Sequence, residues 1–250
     1  MKDFDLKGRV AVITGASRGI GLAITQKLAE YGAQCILVSR KIEPLETAAA
    51  KIRKKGGKAE AIACHTGYPD QIKAMYGKVM EEYGALDILV NNAATNPHFG
   101  EMITADEGVW DKTLDVNIKG PFFMIKHAVP LMKDKGAIVN VSSVNAVKPG
   151  MFQGVYSATK AALVNMTQTM ARELAPKGIR INNLLPGLTD TKFASAIISS
   201  EKICSYALSQ IPMERYAQPA EIAGAVLYLV SDAASFTTGA SLVCDGGMLA

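Results

Sequence analysis

The stretch Val10-Ala11-Val12-Ile13-Thr14-Gly15-Ala16-Ser17-Arg18-Gly19-Ile20-Gly21 decides the fold. Its first five residues are apolar or β-branched without alternation, the pattern of a strand covered on both faces. Gly15 then allows a tight turn, and Gly19 and Gly21 allow close backbone approach and close helix packing. A helical pattern follows from residue 19. A helix that starts directly after a strand presents free N–H groups and the positive end of its dipole, which suits a pyrophosphate. The residues expected on the cofactor side of this turn are Gly15, Ser17, Arg18, Gly19, Ile20 and Gly21.

Outward from this turn, short β-rich runs alternate with helical patterns to the end of the chain. The runs are Cys35–Val38, Ala59–Cys64, Leu86–Val90, Ala137–Val141, Ile179–Asn182 and Ser241–Cys244. Helical patterns fall at roughly 19–31, 43–55, 69–83, 105–133, 155–175 and 219–230. This spacing implies βαβ units in an α/β fold, with a doubly wound parallel sheet of about seven strands flanked by helices. In such a sheet the ligand lies beyond the carboxyl ends of the strands. Gly and Pro are spread evenly, with no linker, repeat or low-complexity tract, so residues 1–250 read as a single domain.

Composition narrows the function. The chain has 250 residues, 49% hydrophobic, with a net charge of +4. The densest basic cluster, Lys51 to Lys55, sits at a helix end, where cations complement the dipole. No nucleic-acid partner is expected. Cys35, Cys64, Cys204 and Cys244 show neither CxxC nor metal spacing and read as reduced thiols, with no metal site. The charged start, Met1 to Asp5, has no apolar signal core, and Gly247-Met248-Leu249-Ala250 carries no organelle address. No segment approaches membrane-spanning length. A cytoplasmic protein with no membrane partner is expected.

The strand ends carry the informative residues. After the second strand comes Ser39-Arg40-Lys41, with no carboxylate to take a ribose 2′-hydroxyl. Arg40 can instead pair with a 2′-phosphate, Arg18 can reach the same space, and Ser39 can add a hydroxyl, so NADP(H) is the expected cofactor. After the third strand comes Cys64-His65-Thr66-Gly67, where His65 is either a contact to the cofactor's rings or a bystander. After the fourth comes Asn91-Asn92-Ala93-Ala94, with Asn92 the cofactor-side contact and Asn91 either structural or functional.

Tyr156 and Lys160 stand in Tyr156-Ser157-Ala158-Thr159-Lys160, on one face of a helix. A tyrosine is a poor base near neutrality, but an adjacent ammonium favours the phenolate and lowers its pKa. The pair can then exchange a proton with a substrate oxygen. Ser143 ends the fifth strand, thirteen residues before Tyr156, where its hydroxyl can polarise a substrate carbonyl. Ser142 is the adjacent alternative.

These motifs together resemble the short-chain dehydrogenase/reductase family over essentially the whole chain. Its fingerprint TGxxxGxG is matched by Thr14 to Gly21, and its NNAG element by Asn91 to Ala94, with Ala94 in place of glycine. The family's spacing favours Ser143, and Asn117 in Leu114-Asp115-Val116-Asn117 matches its fourth catalytic position. The resemblance implies a single-domain Rossmann fold. Tyr156 becomes general acid in reduction and base in oxidation. Lys160 lowers its pKa and binds the nicotinamide ribose. Ser143 holds the substrate oxygen, and Asn117 bends its helix and supports a proton relay. Basic residues at Ser39-Arg40-Lys41 go with NADP, and the missing Asp after the third strand leaves His65 without an assigned role. Pro186-Gly187-Leu188-Thr189-Asp190-Thr191 is similar to PGxxxT, which implies that backbone near Thr189 and the hydroxyl of Thr191 hold the nicotinamide carboxamide.

The segment at about 188–216 is expected to cover the site as a lid. Its apolar residues, Phe193 and Ile211 among them, either line a pocket or only anchor the lid. Asn145, Phe152, Gln153, Asn96, His98 and Phe99 come from loops facing the same site, with Ser143, Asn145, Phe152 and Tyr156 the substrate contacts. They suggest a moderately apolar carbonyl or alcohol substrate. The stretches Cys64-His65-x-Gly67, Asn92 to Gly100 and Val109 to Asp115 are similar to NADP-dependent carbonyl and retinal reductases found in animal peroxisomes. A 3-oxoacyl-acyl-carrier-protein reductase, with the same four residues, is the alternative enzyme. A non-catalytic NADP-binding sensor or scaffold would need the fold without Asn117, Ser143, Tyr156 and Lys160. The helix after Tyr156 is small or apolar over most of its circumference (Ala158, Ala161, Ala162, Leu163, Met166, Ala171). Such a helix needs cover on more than one side. The resemblance implies a homotetramer or homodimer.

Overall fold

Val10–Thr14 forms β1, buried along its whole length, and Gly19–Glu30 forms α1 directly after the glycine turn. The computed structural model describes residues 2–133 and 135–250, so Met1 of the charged start lies outside the described residues. The remaining strands are β2 (Gln34–Ser39), β3 (Lys58–Ala63), β4 (Ile88–Asn91), β5 (Gly136–Val141), β6 (Ile179–Pro186) and β7 (Ser241–Cys244). They form one seven-stranded parallel sheet in the order β3-β2-β1-β4-β5-β6-β7. The expected runs shift by a residue or two at their ends. β6 alone differs more, continuing to Pro186 because β5 and β7 both pair with its second half.

Two helical layers cover the sheet. α1, α2 (Ile42–Lys54) and a later helix at Pro219–Val230 lie on one face. α3 (Pro69–Tyr83) and helices within 120–128 and 154–174 lie on the other. The alternation along β1 shows the division, since Ala11 and Ile13 belong to the first core and Val10 and Val12 to the second. Burial on both faces is why these strands read as continuous apolar runs.

The expected helix over 105–133 is interrupted. α4 (Glu107–Leu114) begins at Asp106, whose carboxylate accepts from the Val109 N–H at 2.7 Å. Asp115–Lys119 is then a π-helical turn containing Asn117, and α5 (Gly120–Ala128) resumes beyond it, with Pro121 in its first turn. A π turn inside an α-helix inserts an extra residue and redirects side chains, a common device at functional sites. α6 (Gly154–Leu174) carries Tyr156 and Lys160 on its buried side. Between β6 and the last helix lie a 3-10 turn at Lys192–Ala194, α7 (Ser195–Ile198) and α8 (Glu201–Ser209). α9 (Pro219–Val230) starts with a capping box between Gln218 and Glu221, and Glu221 also takes two bonds from Arg215.

Candidate active site

β1 and β4 are neighbours, and the winding of the sheet reverses between them. The crevice beyond their carboxyl ends is where such a fold takes a dinucleotide. The glycine turn on its floor is held tightly. Asn92 Nδ2 donates to the carbonyls of Thr14 (2.9 Å) and Gly15 (3.4 Å). The Thr14 hydroxyl accepts from the Asn92 and Ala93 N–H groups at 2.9 and 3.0 Å. A Cβ at Gly21 would stand 2.4 Å from the Gly15 oxygen and 2.5 Å from Asn92 Nδ2, so only glycine fits. Asn92 Nδ2 therefore helps to shape the turn. Asn91 donates from the buried end of β4 to the Asn140 side chain at 2.9 Å.

This cradle fits a dinucleotide phosphate. No side chain caps α1, and its first turn contains no acidic residue, so its leading N–H groups face an open, electropositive end. Ser17 is half-buried in the turn, Arg18 is exposed, and Ile20 packs partly on the core, leaving its backbone for the ligand. At the end of β2, Ser39 is half-buried while Arg40 and Lys41 are exposed. Among the described residues, Arg18, Arg40 and Lys41 form no ion pair. Cys64 N donates to Ser39 O, which brings His65 out beside Arg40. His65 Nδ1 accepts from the Gly67 N–H at 3.0 Å, fixing the ring, and Tyr68 packs on it at 4.6 Å between centroids. Burial first, and the Arg40 charge second, push His65 below the usual histidine range.

Ser143, Tyr156, Lys160 and Asn117 converge beyond β4 and β5. Tyr156 is buried, with the Ser143 hydroxyl near enough to act on its phenol, and that hydroxyl accepts from the Asn145 N–H at 3.1 Å. Lys160 Nζ donates to the Val141 carbonyl at 2.7 Å and stands 5.5 Å from the centroid of the Tyr156 ring. Ser142 turns away to donate to the Lys160 carbonyl, anchoring α6 to β5. Asn117 is wholly buried. Its Oδ1 accepts from the Thr95 N–H, and its Nδ2 donates to the Thr95 carbonyl and the Thr159 hydroxyl, at 2.9 to 3.1 Å.

The electrostatics differ from the simple expectation. Burial pushes the Tyr156 phenol above the ordinary tyrosine value, with the Ser143 hydroxyl acting in the opposite direction. Burial pushes Lys160 down to about 7. Desolvation disfavours both charged forms and outweighs the expected lowering of Tyr156 by a charged Lys160.

The substrate-side loops partly meet. Gln153 Oε1 accepts from Asn96 and Asn145, each at 3.4 Å. Phe99 packs edge-on to Phe152 at 5.9 Å, and the Gly100 N–H donates to the Phe152 carbonyl. Phe152 holds φ +59°, a strained value for an aromatic residue. His98 instead turns to the Glu101 carbonyl and Thr104 within its own loop. Thr189 is buried with its hydroxyl on the Gly187 carbonyl, whereas Thr191 Oγ1 accepts from Ala194 N and keeps its own proton to donate. Sequence reasoning gave no role to Thr14, Thr95 or Thr159. Thr14 and Thr159 lie inside the quoted motifs, but their parts depend on contacts between distant segments.

A family model described as enoyl-(acyl carrier protein) reductase matches residues 15–249. The chain is 37% identical over 244 residues to dehydrogenase/reductase SDR family member 4 of Homo sapiens, covering 97% of this chain and 88% of that protein. The chain belongs to the short-chain dehydrogenase/reductase family. The resemblance read from the local motifs thus extends along nearly the whole chain. A putative short-chain alcohol dehydrogenase from Sinorhizobium meliloti superposes with a TM-score of 0.94 at 36% identity, covering 99% of this chain and 98% of that one. A 3-oxoacyl (acyl-carrier-protein) reductase from Agrobacterium tumefaciens, solved with NADP bound, superposes at 0.91 with 31% identity, covering 98% and 96%. Membership makes this protein an oxidoreductase acting on CH–OH and C=O groups. No helix among the described residues is long and apolar enough to cross a membrane.

Proposed function

We propose that this short-chain dehydrogenase/reductase is an NADP(H)-dependent carbonyl reductase, interconverting a ketone or aldehyde with its alcohol at Tyr156. The observation that carries this reading is the buried Tyr156 ring with Lys160 Nζ 5.5 Å from its centroid and the Ser143 hydroxyl near enough to act on the same phenol. Bound NADPH supplies the hydride to the carbonyl carbon. The Tyr156 phenol, kept protonated by burial, gives its proton to the carbonyl oxygen as the C–H bond forms, while Ser143 holds that oxygen. Lys160 in its protonated form stabilises the resulting phenolate, and a solvent proton then restores Tyr156. One carbonyl, one NADPH and one proton become one alcohol and one NADP. In the reverse direction the phenolate is the base. Asn117 holds the loop at Thr95 and the α6 residue Thr159 in register around this centre.

NADP is supported by Arg18, Arg40 and Lys41, which form no ion pair among the described residues, and by a β2 end that reads Ser39-Arg40-Lys41 without a carboxylate. The similar Agrobacterium reductase holds the same cofactor. Initial rates with NADPH and NADH over a panel of carbonyls test this. NADPH should be preferred by about 100-fold, and Arg40→Asp should abolish that preference, since each charge-assisted phosphate contact is worth roughly 1.5–3 kcal/mol. A wild-type preference for NADH would overturn the reading.

A second reading is a 3-oxoacyl-acyl-carrier-protein reductase. Exposed Lys148, in the loop after Ser143, and Lys192, beside Phe193, offer charge to an acidic carrier. A far higher kcat/KM for carrier-bound 3-oxoacyl thioesters than for free ketones would favour it. We also propose that residues 188–216 act as the substrate lid of a single-domain enzyme, and that the enzyme works as a homodimer or homotetramer. A cytoplasmic setting suits its four free cysteines.

A further inference from the structure

Among the described aromatic pairs, Phe193 is the residue of the segment over the site that packs on Tyr156. Ile211 is buried, and a Cβ on Gly246 would stand 2.8 Å from its Cγ2, so Ile211 anchors the far end of the segment. Met213 N donates to the Gly246 carbonyl at 3.1 Å and completes that anchor. The near end is clamped by a bridge between Thr189 and Ala217, with Asp190 N donating to the Ala217 carbonyl at 2.9 Å. Three residues beyond this clamp, Phe193 lies in the short turn Lys192–Ala194, which Thr191 caps. Thr191 itself rests against the glycine turn, 3.2 Å from where a Cβ on Gly19 would stand.

The Phe193 ring is thus placed by its neighbours rather than by the core. It belongs to neither core cluster and is 50% exposed, yet it packs on the buried Tyr156 at 5.6 Å between centroids, tilted by 48°. A half-exposed aromatic residue beside the reacting phenol offers apolar surface that a ligand can complete. We propose that Phe193 is the specificity-determining residue of the lid, its exposed apolar surface receiving the flat apolar substituent of a carbonyl substrate whose oxygen sits on Tyr156. This rests on the reading of Tyr156 as the proton donor.

The test compares butanone, acetophenone and 2-acetylnaphthalene in wild type, Phe193→Ala, Phe193→Leu and Phe193→Trp. Two quantities are read: kcat/KM with NADPH, and ketone affinity for the NADPH complex from quenching of bound-cofactor fluorescence. The aryl-over-butanone ratio should fall about 10-fold or more in the alanine variant, less in the leucine variant, and be kept in the tryptophan variant. NADPH affinity should stay within about threefold throughout, as expected of a residue that contacts the substrate and not the cofactor. An alanine-variant ratio within about twofold of wild type in both quantities overturns the proposal. If binding follows the expected order but no ketone is reduced, Phe193 stands and the catalytic reading falls. If every ketone is reduced with an unchanged ratio, the catalytic reading stands and Phe193 falls.

Discussion

Lys160 is a buried amine that donates to the Val141 carbonyl, and its depressed pKa has a consequence for stability. The folded value is about 7, against about 10.4 for an unfolded lysine. Between these values the unfolded chain binds the extra proton, so this residue makes stability rise with pH across that window. The penalty is fully present below pH 7 and relieved above it. Replacing Lys160 by Met removes the penalty. The urea-unfolding difference between variant and wild type should therefore shrink by about 2 kcal/mol from pH 7 to pH 9. Parallel curves over that range would show that the amine is not desolvated. At this scale the sequence was informative about identity and less so about environment. Tyr156-x3-Lys160 and its spacing to Ser143 pointed to the pair. The direction of each pKa shift depends on burial, which no spacing reveals.

Among the elements, β4, β5 and β6 are tied by a polar ladder that is buried at Asn91, Asn140 and Asn183. Asn91, Asn140, Asn183 and Ser241 are successive register partners across the four strands β4 to β7. Asn91 donates to Asn140, Asn140 to Thr167 of α6, and Asn183 to Ser241. The single Thr167 proton is directed to the Leu163 carbonyl or to Asn183 Oδ1, at 2.8 and 2.7 Å. Thr167 thus seats α6 on the two strands whose ends carry Ser143 and the 186–191 turn. Thr167→Val keeps the shape but leaves the Asn140 amide and the Asn183 oxygen without this partner. It should cost about 2–4 kcal/mol, measured by denaturant unfolding, because buried unpaired polar groups are expensive. A loss below about 0.5 kcal/mol would show that the ladder re-pairs without Thr167. The sequence displayed asparagines within apolar strands, but their pairing depends on register between segments 49 residues apart for Asn91 and Asn140 and 58 apart for Asn183 and Ser241. The break in the 105–133 helix was foreshadowed only by the family match at Asn117. The short helices of 192–209 carry too little periodicity to read.

For the whole molecule, the alternation of apolar runs with helical patterns was enough to give a parallel doubly wound sheet, since strands buried on both faces leave that signature. The outward face of α6 was also legible in part. Leu163 and Ala171 prove buried, whereas Ala158, Ala161 and Ala162 are exposed on the single chain. Small side chains allow close approach of a second helix, and light scattering should return two or four times the 26.6 kDa chain mass. A mass of one chain at micromolar concentration would exclude that assembly. The catalytic proposal depends on one proton. Its most direct measurement is NADPH oxidation with a reducible ketone by wild type and Tyr156→Phe, with NADPH affinity recorded for both. The phenylalanine variant should bind NADPH within about threefold of wild type and lose roughly 100- to 10,000-fold in kcat. A variant that binds NADPH and turns over within about threefold of wild type would show that Tyr156 is not the proton donor.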